Sequence, residues 1–455
     1  MATATTHSTW SSRPAFILAS AGAAVGLGNL WRFPFVAGEN GGGAFVLIYI
    51  GFVILLGIPI MMAELSIGRR GRQSPVWSMR YLSNAEGASK KWQIIGWLSI
   101  GIPLIGLSYY SVVAGWAIDY IAKAAMNSFY GFDGGRSEQT FNALLASPLH
   151  LVILHTLFIG SAVFVVSRGI HGGIERISKI MMPTLFVLLI IMVINSIVAA
   201  DIEAGMKFLF SPDFSKLTPS AIVIALGQAF FSVAIGVGVL MTYGSYMPKQ
   251  FSIATSATTI ALADTLVALL AGLAIFPVVF QYGLNPGGGP GLIFVTLPVA
   301  FGQMPGGHIL GLLFFVLLFF AAFTTAIGML EPIVSWLQNL GFNRPKMAIA
   351  SGATAWFMGL AAVLSFNIWS DVRLFPMIPL VSQKDIFELI DFVISNLMLP
   401  LNALLISVFA GWIMARQSTL DELQIADNWT YKYWRFSIRY IAPIAIAMIC
   451  YSSAS

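Results

Sequence analysis

Charge is what this 455-residue chain has least of: Asp, Glu, Lys and Arg make up 9% of it, against 58% hydrophobic residues. A water-soluble domain carries about 25% charged residues. A soluble globular class is therefore excluded, and a polytopic membrane protein is implied. Cysteine is nearly absent as well. The single Cys450 excludes an internal disulfide framework and any cysteine-based metal cluster. The five histidines, at positions 7, 150, 155, 171 and 308, are too scattered for a zinc motif. No covalent cofactor is expected, and no enzyme. Nor is a signal peptide, because polar residues 1–12 run straight into a full-length span.

What is present is long apolar runs. Those that reach about 20 residues, the length that crosses a bilayer, fall at 14–36, 43–67, 92–125, 149–167, 173–199, 219–246, 252–282, 307–338, 346–366, 385–414 and 432–453. The expected class is an all-α integral membrane protein with eleven transmembrane helices in one domain, residues 1–455. With the N-terminus inside, seventeen of the 24 Lys and Arg lie in cytoplasmic segments and five in outer ones, with Arg32 and Lys123 inside spans. That bias sets the N-terminus in the cytoplasm, and an odd span count then leaves the C-terminus outside. The net charge of +5 thus reports topology, and no nucleic-acid partner is implied.

Two glycine-broken stretches repeat 210 residues apart: Ala24-Val25-Gly26-Leu27-Gly28-Asn29-Leu30 and Ala234-Ile235-Gly236-Val237-Gly238-Val239-Leu240. Each glycine weakens a helix by about 1 kcal/mol relative to alanine. Backbone that leaves a helix at mid-bilayer depth is tolerated only where protein or a watery cavity satisfies it. Matching breaks in spans 1 and 6 therefore point to a binding site and to a five-helix repeat. Five is odd, so the second unit runs opposite to the first. The expected inverted repeat covers 14–199 and 219–414, with an extra helix at 432–453. A dinucleotide loop at Gly22, Gly26 and Gly28 is excluded, because no strand precedes it. The uncharged outer loop 283–306 is hydrophobic enough to dip into a vestibule. Gly173 and Pro183 leave the inner start of span 5 weakly helical.

The run Ala23-Ala24-Val25-Gly26-Leu27-Gly28-Asn29-Leu30-Trp31-Arg32-Phe33-Pro34, with Glu39-Asn40-Gly41-Gly42-Gly43-Ala44-Phe45 and Gly227-Gln228-Ala229-Phe230-Phe231-Ser232, resembles the neurotransmitter:sodium symporter family. The resemblance runs from about Trp10 to the end of span 11. It is to the bacterial, leucine transporter-like branch, above all to the eleven-span multi-hydrophobic amino acid transporter type. It implies sodium-coupled uptake of an amino acid by alternating access in a bacterial plasma membrane, through the inverted-repeat fold with helices 1 and 6 broken. The partners implied are a hydrophobic L-amino acid, sodium and the lipid bilayer.

The site residues follow from the same resemblance. Leu27 and Gly28 N–H with the Tyr110 hydroxyl would face the substrate carboxylate, and carbonyls around Ala24, Phe231 and Ser232 its ammonium. Gly106, Tyr110, Phe231, Ala234, Val237, Thr325 and Met329 would form the side-chain pocket. Gly106 and Val237 stand where the leucine transporter has larger side chains, which implies a larger pocket that admits tryptophan and phenylalanine. Two sodium ions are implied: the first on Ala24, Asn29, Ser232 and Asp264, the second on Gly22, Val25, Ala321, Thr324 and Thr325. Asp264 replaces an asparagine, and Ala268 stands where relatives place a glutamate or a chloride-binding serine. An acidic residue within a span is a functional hypothesis by default, so Asp264 is expected to charge the first sodium site and make chloride unnecessary.

Arg32 and Asp391 match the outer gate, an ion pair closed through water, with Phe231 as the lid and Trp10 as the inner anchor. The usual inner Arg–Asp pair is replaced by His7 and Asn339, so inner closure would rest on Trp10 and on winding near Gly173. Glu64 would cap N–H groups freed at a helix break. The rival readings are a proton-coupled permease of the same fold, an intramembrane aspartyl enzyme built on Asp264 and Asp391, and a channel. The permease lacks support because no lysine lies near either break, and the enzyme because no Gly-x-Gly-Asp surrounds Asp264.

Overall fold

The computed structural model describes residues 9–287, 289 and 291–454, and among them the regular structure is entirely helical. Eight helices are long and apolar enough to cross a membrane, and the pair Arg13–Ala24 and Gly28–Glu39, bent by 53°, makes a ninth. The eight are Gly43–Gly71, Lys90–Ala125, Pro148–Ser167, Ile170–Ala199, Ile253–Gln281, Gly307–Asn339, Arg344–Ser365 and Ile386–Ile413. Two further expected spans have their own forms. The sixth is split into Pro219–Ser232 and Val239–Ser245, and the eleventh is the helical run 429–454. All eleven expected apolar runs therefore lie on helices, numbered here as spans 1 to 11.

The two breaks share a sequence pattern but not a cause. In span 1 the Ser12 hydroxyl caps the first segment and Pro14 occupies its first turn, and the helix ends at Val25, whose ψ of 104° is extended. No glycine there has positive φ. These glycines instead make room. A Cβ on Gly26 would meet Thr325 Oγ1 at 2.6 Å, and one on Gly28 would meet the Phe231 ring at 3.0 Å. In span 6 the backbone itself turns left-handed, with φ of +53° at Ala234, +78° at Gly236 and +91° at Gly238. Only glycine adopts such angles without cost. Ala234 adopts one as well, which is a local strain of order 1–3 kcal/mol.

Three side chains satisfy the backbone that these breaks release. Glu64, buried in span 2, accepts the N–H groups of Gly236, Gly238 and Met241 at 3.1, 3.2 and 3.3 Å. Asn402 of span 10 donates to the Gly236 carbonyl at 2.7 Å, and Gln228 of span 6 donates to the Gly28 carbonyl at 2.9 Å. The cap expected of Glu64 is thus present, and the two carboxamides join it. Spans 3 and 8 pack along one another beside the broken pair.

Two sequence expectations take a different form. The start of span 5 is wound, as a wide π turn over Ile170–Glu175. Gly169, at φ +87°, enters this turn. Gly173 lies so close to the Val165 carbonyl that a Cβ would meet it at 2.0 Å. Pro183 lies within the helix Arg176–Ala199. The loop 283–306 does reach inward, but as helix: Leu292–Thr296 and Leu297–Gln303 carry Ile293 and Phe294 into the core. Gly288 and Pro290 of that loop lie outside the described residues.

Gly238→Ala should therefore be costly, since its Cβ would lie 2.4 Å from Ser99 at a left-handed φ. We expect a loss of about 2–4 kcal/mol in a detergent melt. Ala234→Gly should leave stability within about 1 kcal/mol, strain relief offsetting added chain entropy.

Candidate functional site

Between spans 1, 3, 6, 8 and 10 lies a central cavity of about 60 Å³. Ala24, Leu27 and Gly28 line it from span 1, Tyr110 from span 3, Phe231, Ala234 and Val237 from span 6, and Thr325 and Met329 from span 8. The cavity is polar at one end, where the Leu27 N–H donates to the Tyr110 hydroxyl at 3.4 Å. Elsewhere it is apolar, and no charged side chain lines it. Gly106 stands just outside the lining. A Cβ there would meet Met329 Cε at 2.9 Å, so the room expected from this glycine is taken up by methionine. A thioether on three rotatable bonds adapts to its neighbours, which makes this side of the pocket adjustable.

Beside the cavity, Asn29, Ser232 and Asp264 converge, all buried. The Ser232 hydroxyl donates to Asp264 Oδ2 at 2.5 Å. The Asn29 amide donates to Ser232 Oγ at 3.0 Å, to Asp264 Oδ1 at 2.9 Å and to the Asp264 carbonyl at 3.0 Å. Tyr49 Oη lies 3.0 Å from Ser232 Oγ. A serine has one proton, already given to Asp264, so Tyr49 is the donor there. Several oxygen acceptors thus surround one positive-ended NH₂ group, an arrangement that suits a small hard cation. The Asn29 side-chain oxygen meanwhile accepts the Gly26 N–H at 3.2 Å. A carbonyl oxygen has two lone pairs, so one remains for a further partner.

The second expected ion cluster lies where span 1 meets span 8. Thr325 Oγ1 donates toward the Gly22 and Val25 carbonyls, at 3.4 and 3.3 Å. Thr324 instead returns its hydroxyl to its own helix, to Phe320 at 3.0 Å and Ala321 at 3.2 Å. Such back-bonding is the ordinary behaviour of a helical threonine. Gly22 is pinched, since a Cβ there would meet Thr324 Cβ and Met182 Sδ at 3.1 Å each.

Above Phe231 opens a larger cavity of about 610 Å³, lined in part by Trp31, Arg32, Tyr109, Trp116, Phe387, Asp391 and Asn396. Arg32 and Asp391 share it but are not paired. The Arg32 guanidinium lies 4.7 Å over the Phe231 ring. The Asp391 carboxylate accepts the hydroxyls of Tyr109 at 2.9 Å and Ser395 at 3.0 Å. The two charges attract one another across this cavity without direct contact.

The opposite face is closed. Trp10 is buried, with its indole N–H on the Tyr243 carbonyl at 2.9 Å and its backbone N–H on the Tyr246 carbonyl at 3.1 Å. Its ring packs edge-on against Tyr243. Tyr246 in turn donates to Glu331 at 2.8 Å, and Glu331 pairs with Arg344. Asn339 accepts the Ser74 N–H at 2.9 Å, and His7 lies outside the described residues. Tyr49, Tyr109 and Asn402 had no role assigned from sequence. Aromatic and amide residues are common in membrane helices, and each acts here on a partner more than 150 residues away.

A family model described as the Sodium:neurotransmitter symporter family matches residues 7–131 and 147–455. An uncharacterized sodium-dependent transporter of Bacillus subtilis is 39% identical over 444 residues, 97% of this chain and 96% of the relative. One from Haemophilus influenzae is 34% identical over 463 residues, 98% of each chain. Among solved structures, the crystal structure of MhsT in complex with L-phenylalanine superposes with a TM-score of 0.89 at 39% identity, covering 98% of this chain and all of that one.

Two buried hydrogen-bonding groups near the site, Tyr49 and Glu64, should separate on substitution. Tyr49→Phe removes one donor from the ion cluster, about 1 kcal/mol, and should raise the sodium concentration for half-maximal thermal protection roughly fivefold. Glu64→Gln should lower the melting temperature equally with and without sodium, because it acts on the break.

Proposed function

The chain belongs to the sodium:neurotransmitter symporter family, and on that premise we propose that this sodium-dependent symporter imports hydrophobic L-amino acids, aromatic ones included, with two sodium ions and no chloride. The observation that carries this reading is the two-ended central cavity, polar at Leu27 and Tyr110, apolar at Ala234, Val237 and Met329, and free of charged lining. A zwitterion with an apolar side chain matches it, whereas a cationic side chain would lie unpaired at high cost. The complex of MhsT with L-phenylalanine supports the same substrate class.

In this reading the substrate carboxylate meets the Leu27 and Gly28 N–H groups and the Tyr110 hydroxyl, while carbonyls of Ala24, Phe231 and Ser232 take the ammonium. Helix ends at a break offer these complementary dipoles. The first sodium sits on the Ala24 carbonyl, Asn29, Ser232 and Asp264, and the substrate carboxylate completes its shell. Their affinities are then mutually dependent. The second sits on the carbonyls of Gly22, Val25 and Ala321 with Thr324 and Thr325. Each threonine hydroxyl donates its one proton to a carbonyl, which leaves the lone pairs of its oxygen for the ion.

Transport follows by alternating access between the repeats 14–199 and 219–414, with the Trp10 face in the cytoplasm. Closing Arg32 and Asp391 over Phe231 seals the site from outside. Opening at Trp10 and near Gly173 and Pro183 then lets water reach the second ion. Each charge moved inward gains about 2.3 kcal/mol per 100 mV, so two sodium ions per zwitterion drive substantial accumulation.

The Asp264 carboxylate within the ion cluster supplies the charge that makes an anion unnecessary. In an equilibrium binding assay with labelled tryptophan, wild-type protein should bind in sodium gluconate as well as in sodium chloride, with phenylalanine competing and glycine and arginine not. Asp264→Asn should raise the sodium requirement at least tenfold in chloride-free medium. Unchanged binding by that variant without chloride, or preference for glycine or arginine, would contradict the reading.

A further inference from the structure

The Trp10 face is closed by the bonds of Trp10 to Tyr243 and Tyr246, and one carboxylate ties the neighbouring residue to span 5. Glu175, the last residue of the π turn that opens span 5, is buried. It accepts the Ser11 hydroxyl on Oε1 and the Ser11 backbone N–H on Oε2, the latter at 3.3 Å. Lys179 donates to Glu175 Oε1 at 2.5 Å and to Ser11 Oγ at 3.3 Å. His171 Nδ1 lies 3.1 Å from Oε2. Three polar contacts thus tie Ser11, the residue after Trp10, to the first turns of span 5, and two more hold Glu175 within it.

Position gives this cluster its consequence. Glu175 and Met182 lie seven residues apart, on one face of span 5 and about 10 Å apart along its axis. Met182 is the side chain that presses on Gly22, whose carbonyl faces Thr325. Span 5 therefore touches span 1 at two heights, at Ser11 by hydrogen bonds and at Gly22 by packing. Only the lower contact is polar, and so only it can be exchanged for water without exposing apolar surface. The π turn and Gly173 supply the place where the start of span 5 can rewind.

We propose that Glu175 is the inner-gate latch of this protein. Its carboxylate holds Ser11 against span 5 while the outer cavity is open, and its release admits water toward Gly22 and Thr325. The proposal rests on the alternating-access reading above. Glu175 touches neither substrate nor ion in this scheme and acts as a positioning residue.

The test uses the full-length chain with Cys450→Ser and a reporter Ser178→Cys. Ser178 is buried on the same face of span 5, between Glu175 and Met182. Labelling by a membrane-impermeant thiol reagent, applied to the purified protein in sodium or in choline, reads opening at that height. Glu175→Gln should speed labelling in sodium at least tenfold. Ser11→Ala, which leaves Glu175 and Lys179 in place, should speed it several-fold. Glu175→Asp should return the rate toward that of the parent. Labelling of Glu175→Gln and Ser11→Ala at the parent's rate would overturn the latch. If Glu175→Gln does not fold, Ser11→Ala decides alone. Failure of the alternating-access reading shows separately, as a parent whose labelling is the same in sodium and in choline.

Discussion

The structure depends on a constraint of the bilayer interior: every backbone group released from a helix must find a partner, because lipid offers none. Breaking two helices at mid-depth creates that demand twice. Glu64 meets it for three N–H groups of span 6, while Asn402 and Gln228 each meet it for one carbonyl. Once the breaks are satisfied, their remaining dipoles face the central cavity, and a polar-ended, uncharged site follows. The binding chemistry is thus a by-product of how the breaks are held.

The two breaks then divide the work. The span 1 break makes space, and its Gly26 and Gly28 let Thr325, Tyr110 and Phe231 approach the backbone. That close approach brings ion and substrate groups together. The span 6 break makes a turn, and its left-handed residues aim Ala234 and Val237 into the cavity. In the proposed reading, coupling is concentrated at the first and selectivity at the second. In this structure a larger cavity lies above Phe231, while the face at Trp10 is closed.

Much of this was legible in the sequence, for identifiable reasons. The spans could be read because bilayer thickness sets a minimum run of apolar residues. The breaks could be located because two glycine pairs recur at matching depth, and Asp264 stood out as an acid in an apolar run. What each glycine does could not be read, since space and dihedral freedom are both reasons for glycine and only tertiary contacts tell them apart. Met329 filling the room left by Gly106 was likewise invisible. Glu175 carried the same signal as Asp264, but it lies among His171, Arg176 and Lys179 at the end of a span, where charge is ordinary. The Thr324 hydroxyl donates to its own helix, the ordinary partner of a helical threonine.

The central claim is that the geometry around Asn29, Ser232 and Asp264 couples sodium to a hydrophobic amino acid. The most direct measurement is accumulation of labelled L-tryptophan by the protein reconstituted into vesicles, driven by an inward sodium gradient, or by a proton gradient with sodium absent. The account predicts concentrative uptake with sodium alone, steeper when the interior is made negative and abolished when the gradient is collapsed. Uptake driven by protons without sodium, or equilibration without accumulation, would contradict it.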